Sequence, residues 1–402
     1  MSFVDLADVS ADPAYRAFWA PYFEILADGE DVPVRDVVQV TYKDDIKGID
    51  SVELTVNNWD PVLQRYPYIG SETEADLGNG NPRDKRLIRF EPGPRKMQVR
   101  LGYVGVRRLV STVTVTTMEP SFASGGPPTL TVRALNVLHR LRTKQQSGAW
   151  FIKKPSEIAQ NLATLRDSDG SKRLPLPVEI VEGTAENETP IDYVVQDNQH
   201  DIDFLLNLAR RFGYDLVVVE REDRSGRKQE HLLFGPSATS TKPVDYRVGW
   251  GRSLVEFKPQ LSTSNQIRKV TVRGWDRRAK KPIKVTVSLD DRAVKKINPD
   301  LHRLVTQADG REEMVVDEPV FTEAEARKRA TAILQDRLKQ MVKATGTTVG
   351  LPDLRAGSRL EIVGVGARLS GTYFVTDTTH SLGDGGYTTR FSARREDSGG
   401  HG

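Results

Sequence analysis

The 402-residue sequence contains no cysteine, which excludes disulfides and thiolate metal sites and fits a cytoplasmic fold. It has no apolar run near the roughly 20 residues a membrane-spanning helix needs, so no membrane insertion is expected. Its first 21 residues, MSFVDLADVSADPAYRAFWAP, lack the basic start and apolar centre of a secretory signal. Neither sign of charge dominates: 58 Lys and Arg face 55 Asp and Glu, a net +3. No basic cluster is interleaved with aromatics, so no nucleic-acid binding is expected. The six histidines are dispersed, and there is no P-loop, His-Glu-x-x-His or Gly-x-Ser-x-Gly pattern. Asn187-Glu188-Thr189 has the form of a glycosylation sequon, but without a signal it reads as a chance match.

What is present is strong local patterning. Residues 191–220, IDYVVQDNQHDIDFLLNLARRFGYDLVVVE, read as strand, polar turn, helix and strand. Asn198 is the expected cap, with Asp201 and Asp203 at the positive end of the helix. Ile202, Leu205, Leu206, Ala209 and Phe212 share an apolar face. Arg210 and Arg211 suit the negative end, and Gly213 can turn left-handed to stop the helix. The following β-branched strand reverses at Ser225-Gly226 toward Leu232, Leu233 and Phe234.

Around this stretch the period is mostly two. Residues 1–20 read as an N-terminal arm with Tyr15, Phe18 and Trp19 as anchors. Residues 21–143 read as a first β domain, interrupted from Tyr66 to Lys96 by a surface excursion rich in Gly, Pro, Asn and charge. A helix beginning at Pro155, with Ile158, Leu162 and Leu165 on one side, opens a mixed α+β domain over residues 144–240. Residues 241–402 read as a second β domain with a helix near 322–341, capped by Thr322 and Glu325 and facing inward through Ala330, Ile333, Leu334, Leu338 and Met341. The two β regions share ordered features. Leu54-Thr55-Val56-Asn57-Asn58-Trp59-Asp60 parallels Val270-Thr271-Val272-Arg273-Gly274-Trp275-Asp276. Val113-Thr114-Val115-Thr116-Thr117 parallels Val375-Thr376-Asp377-Thr378-Thr379, and Gly125-Gly126 and Gly385-Gly386 follow. The expectation is a duplicated β domain, with Trp59 and Trp275 as equivalent core anchors.

The Asp-x-Asp-Phe helix start and Arg-Arg-Phe-Gly helix end, with Leu354-Arg355-Ala356-Gly357, Val363-Gly364-Val365-Gly366, Ser370-Gly371-Thr372-Tyr373 and His380 before Gly385-Gly386, resemble the phage late control D family. Its members are hub proteins of contractile tails, related to the hub half of type VI (VgrG) spike proteins. The resemblance runs from about Pro21 to Arg395. It implies two similar β-barrel domains flanking a mixed α+β domain, assembled as a homotrimer with pseudo-sixfold symmetry. It also implies a non-enzymatic baseplate role between a hexameric tail tube and a trimeric spike, with other baseplate proteins as partners. Type VI spikes continue into an oligonucleotide-binding-like domain and a needle, whereas this sequence passes from its last strand to Asp397–Gly402; the spike is therefore expected as a separate protein.

Candidate chemistry is sparse, and no catalytic, cofactor-binding or metal site is expected. Gly364-Val365-Gly366 reaches Leu369 where a dinucleotide loop needs glycine, and reads as a turn. His380 reads as a structural group closing a hairpin. Asp167-Ser168-Asp169-Gly170 opens like a calcium loop but lacks the closing Glu. Glu119, Asp290 and Asp291 are the carboxylates that a competing reading, a tail-borne peptidoglycan hydrolase, would use. A carbohydrate-binding β module is the third reading.

Overall fold

The computed structural model describes residues 4–7, 20–46, 48–70, 89–93, 95–104, 106–142, 144–174, 176–222, 228–236, 244–264, 266–291, 294, 311–316 and 320–395. The expected arm anchors Tyr15, Phe18 and Trp19, most of the excursion after Tyr66, the Ser225-Gly226 turn and the tail from Asp397 lie outside the described residues.

The first group of strands is β1 (Val4–Leu6), β2 (Pro21–Ala27), β3 (Glu30–Asp31), β4 (Val37–Asp45), β5 (Ser51–Asn57), β6 (Lys96–Tyr103), β7 (Val106–Ser121) and β8 (Thr129–Leu135). Strict alternation puts Val40 and Tyr42 of β4, Val52, Leu54 and Val56 of β5, and Leu130, Val132 and Ala134 of β8 into one core.

The central group comprises β9 (Gln145–Lys153), α1 (Pro155–Thr164), β10 (Val178–Ile180), α2 (Thr184–Asn187), β11 (Ile191–His200), α3 (Asp201–Phe212), β12 (Tyr214–Glu222) and β13 (Lys228–Pro236). Helix α3 buries Ile202, Leu205, Leu206 and Ala209 and ends on Gly213 at φ 69°. Its cap differs from expectation. Strand β11 continues through a bulge to His200, and Asn198, at φ 47°, donates its N–H to Ser147 Oγ at 3.1 Å. Asp201 is drawn inward instead by Arg173 and by Gln196 Nε2 at 2.7 Å. In α1, Ile158 and Leu162 are buried, whereas Leu165 is the half-buried C-cap.

The last group comprises β14 (Tyr246–Gly249), β15 (Leu254–Leu261), β16 (Ile267–Asp276), β17 (Lys281–Ser288), β18 (Arg311–Val315), α4 (Glu323–Lys339), β19 (Val342–Val349), β20 (Arg359–Val363), β21 (Gly371–Gly383) and β22 (Gly386–Arg395). Helix α4 has the reciprocal cap its sequence encodes. Thr322 Oγ1 accepts the Glu325 N–H at 3.1 Å, and the Glu325 carboxylate accepts the Phe321 N–H at 3.1 Å. Its buried Ala326, Ala330, Leu334 and Leu338 pack on the separate sheet β17-β16-β18. No described helix is long and apolar enough to cross a membrane.

The fold is mostly β, and fourteen strands belong to one sheet. Within it a five-strand order occurs twice. In the first half β4-β5-β8-β7-β6 are neighbours, all antiparallel; in the second β15-β19-β22-β21-β20 are neighbours, all antiparallel. Both halves carry bulges at the same two places. One skips Val38 in β4 and Val255 in β15. The other skips Thr116 in β7 and Thr376 in β21, between paired Val115–Ala134 and Thr117–Arg133 in one case and Val375–Ala393 and Asp377–Ser392 in the other. Each bulged threonine donates its hydroxyl to the carbonyl across the hairpin, Thr116 to Arg133 at 3.2 Å and Thr376 to Ser392 at 3.1 Å. The bulges therefore align the halves residue by residue, so that Leu54 corresponds to Gly346 and Val40 to Phe257.

Two expectations are corrected. The halves do not form two closed barrels: among the described residues no ladder joins the outer strands of either half. The thirteen-residue β21 pairs first with β20 and then, past its bulge, with β4, so the sheet runs from one half into the other. The Trp-Asp match also fails as an equivalence. Strand β5 lies in the large sheet, with Trp59 half-buried 5.3 Å from Tyr66, whereas β16 belongs to the separate sheet between β15 and β19, with Trp275 52% exposed. What the two segments share is a turn. Asp60 accepts the N–H groups of Val62 and Leu63, and Asp276 those of Arg278 and Ala279.

Gly350 approaches Tyr387 so closely that a Cβ would sit 2.1 Å from ring carbons. Gly350→Ala is therefore expected to cost about 1–3 kcal/mol by overpacking, while Gly385→Ala, whose Cβ would meet nothing within 4 Å, leaves the melting temperature nearly unchanged. Thermal unfolding of both variants checks this.

Candidate functional site

Where β21 crosses from one half to the other, it meets β4 in an antiparallel ladder from Asp377–Asp45 to Gly383–Gln39. The side chains turned inward are Thr378, His380 and Leu382 on one strand and Val40, Tyr42 and Asp44 on the other, all buried. A buried aspartate needs a compensating cation, and the loop before β20 brings Arg355. Its Nε lies 2.6 Å from Asp44 Oδ2, one terminal nitrogen donates to the Val110 carbonyl at 2.7 Å, and the other donates to the Tyr42 hydroxyl and lies 3.6 Å from Asp50. The guanidinium also stands 4.7 Å above the Tyr42 ring. Asp44 accepts further hydrogen bonds from Thr378 Oγ1 and the Ala356 N–H.

His380 continues the network. Leu354 O, 2.9 Å from Nε2, can only accept, so Nε2 carries the proton and Nδ1 accepts from the Tyr387 hydroxyl at 3.0 Å. Burial lowers the His380 pKa to about 4, more than nearby Asp44 raises it. Burial first, and then Asp44, push the Asp50 carboxyl up to about 7 against the pull of Arg355. Burial opposes the charge on Arg355, but Tyr42, Asp44 and Asp50 outweigh it and hold the guanidinium protonated. Such a site holds the two halves together.

The other residues weighed in the sequence lie apart from it. Glu119 is exposed on β7 and bound by Arg133 at 3.0 Å. Asp290 and Asp291 follow β17 in the other half, with Asp291 3.5 Å from Arg327. Gly364 and Gly366 make the turn into β21, at φ 79° and 84°. In the Asp167–Gly170 turn the Gly170 N–H donates to the Asp167 carbonyl at 2.9 Å, and the Asp167 side chain accepts from Gln146. The role of Arg355, Asp44 and Asp50 was missed, although a signal existed. In VQVTYKDD, Asp44 falls on the same parity as Val40 and Tyr42, which marks an inward-facing acid.

Two shifts of opposite sign set the pH response. Asp50, raised above its ordinary 3.8, favours the fold at acid pH, and that contribution fades as pH climbs from about 4 to 7. His380, lowered from 6.5, favours the fold above 6.5, and its contribution fades as pH falls toward 4. Between about 4 and 6.5 the two offset. Melting temperatures at pH 4.5, 5.5 and 6.5 are thus expected to fall with pH for His380→Gln and to rise for Asp50→Asn, with slopes up to about 1.4 kcal/mol per pH unit. A profile parallel to the unsubstituted protein in both variants would contradict the assignment.

No curated protein matches this chain. Solved structures do. A tail protein from Neisseria meningitidis MC58 superposes with a TM-score of 0.61 at 13% identity, over 94% of this chain and 97% of that one. The 43 kDa tail protein of prophage MuSo2 from Shewanella oneidensis gives 0.62 at 15% identity, over 94% and 99%. The E. coli c3393 protein, described as a type VI secretion component with structural similarity to T4 tail proteins gp27 and gp5, gives 0.54 at 10% identity, over 93% and 77%. The fold is thus that of phage tail proteins. Residues 22–384 match the family model described as the Alg8 N-terminal domain, and the chain belongs to that family.

Proposed function

We propose that this protein is a structural baseplate hub of a contractile tail or contractile injection system. It acts as a homotrimer that adapts a hexameric tail tube to a separate trimeric spike, assembled in the bacterial cytoplasm with the other baseplate proteins. One observation carries the reading: a five-strand order with the same two bulges occurs twice in one chain. Three such chains present six similar surfaces in a ring while keeping threefold symmetry. The tail-protein fold and the late control D resemblance support the same role. The role requires no catalysis. Glu119, the carboxylate a hydrolase would use, is engaged by Arg133, and Asp290 and Asp291 sit on a different element.

The purified protein is expected to scatter light as three chains of 44.9 kDa each. A stable monomer at micromolar concentration, with the spike protein also present, would overturn the proposal.

A further inference from the structure

Within the chain, the fourth strand of the second half (β21) pairs with the first strand of the first half (β4). The converse junction is open. Among the described residues, the part of β7 beyond its bulge is paired only on the β8 side, and β15 forms a ladder only with β19. We propose that these two edges pair between copies of this chain: β7 of one protomer with β15 of the next, in the register that β21 and β4 already use. The inference rests on the trimeric reading above and supplies its interface.

The register follows from the shared bulges. They align Thr378, His380 and Leu382 of β21 with Met118, Pro120 and Phe122, and Asp44, Tyr42 and Val40 of β4 with Leu261, Pro259 and Phe257. Translating the internal ladder places Met118 opposite Leu261, Pro120 opposite Pro259 and Phe122 opposite Phe257 of the neighbouring copy. All six inward positions are apolar, yet Phe122 is 59% and Leu261 38% exposed in the single chain. The intervening positions are Thr117, Glu119 and Ser121 opposite Ser262, Gln260 and Lys258, all polar. A slip by one residue would face apolar against polar at every step.

The prolines fit the same register. Each lacks an N–H, and placing them opposite one another confines the missing donors to one residue pair, whereas any slip spreads the defect over two. Open edges of alternating apolar residues are templates for strand addition. Because the two edges differ, the contact is head-to-tail, and the threefold rotation of the trimer closes it into a ring. In a trimer the sheet then runs through six junctions, alternately within and between chains.

The natural absence of cysteine permits a direct test. In the full-length Glu119→Cys/Gln260→Cys variant, mild oxidation is expected to give a reducible covalent species of three chains. Glu119→Cys/Glu256→Cys, four residues out of register, is expected to give at least about tenfold less, since only directly opposed Cβ atoms reach disulfide distance. An intrachain disulfide, a product limited to two chains, or no covalent trimer while light scattering still reports three chains would overturn the seam and leave the trimer standing. A folded monomer before oxidation would overturn the trimer itself. Phe122→Asp, at an exposed site, guards against misfolding of the double variant. It is expected to keep the circular dichroism spectrum and raise the trimer's dissociation constant at least about tenfold; unchanged association would overturn the proposal.

Discussion

One partly buried cation, Arg355, couples the two halves of this protein. Arg355 reaches Asp44 and the Tyr42 hydroxyl on β4, the Val110 carbonyl on β7 and the vicinity of Asp50. Its own loop is tied to β21 through the hydrogen bond between the Leu354 carbonyl and His380. Removing water from these charges is costly, and the cost is recovered only if every partner is in place. The network therefore demands one register between β4 and β21. The C-terminal hairpin is held by the same demand: Leu382 and Tyr387 at its tip lie in the core of the first half, not the second.

That seam explains why two similar halves make one sheet and not two barrels. A strand of thirteen residues with a bulge at Thr376 can serve two neighbours on one edge, β20 before the bulge and β4 after it. The second half accommodates an insertion between its first and second strands, the sheet β17-β16-β18 covered by α4, without altering the strand order around it. Between β4 and β21 the inward face carries Tyr42, Asp44, Thr378 and His380, whose polar groups are hydrogen-bonded, beside apolar Val40 and Leu382. At the corresponding open edges it is apolar. An intrachain junction forms once at folding and can bear a buried charge network.

Much of the local structure was legible in the sequence because its causes are local. The cap at Thr322 and Glu325, the left-handed stop at Gly213 and the period-two runs of β4, β5 and β8 depend on neighbours within a few residues. Local chemistry also misled where it was ambiguous. Asn198 has the right side chain for a cap, but the pairing of β11 with β9 carried the strand past it. Trp59-Asp60 and Trp275-Asp276 share a turn in which aspartate accepts backbone N–H groups, and that motif arises at the exits of unrelated strands.

The sequence by itself determined that the chain is mostly β, that a mixed α+β segment divides it, and that related strand patterns lie on either side. These follow from side-chain periodicity and turn residues, which act over short distances. Only the tertiary structure decided which strands correspond, because the repeat lives in strand order and in bulges at Val38, Val255, Thr116 and Thr376, across halves whose equivalent positions hold residues as different as Leu54 and Gly346. It also decided that Asp44 and Arg355, 311 positions apart, share one site. A buried charge chooses its partner by proximity in the folded chain, and no local pattern encodes that distance.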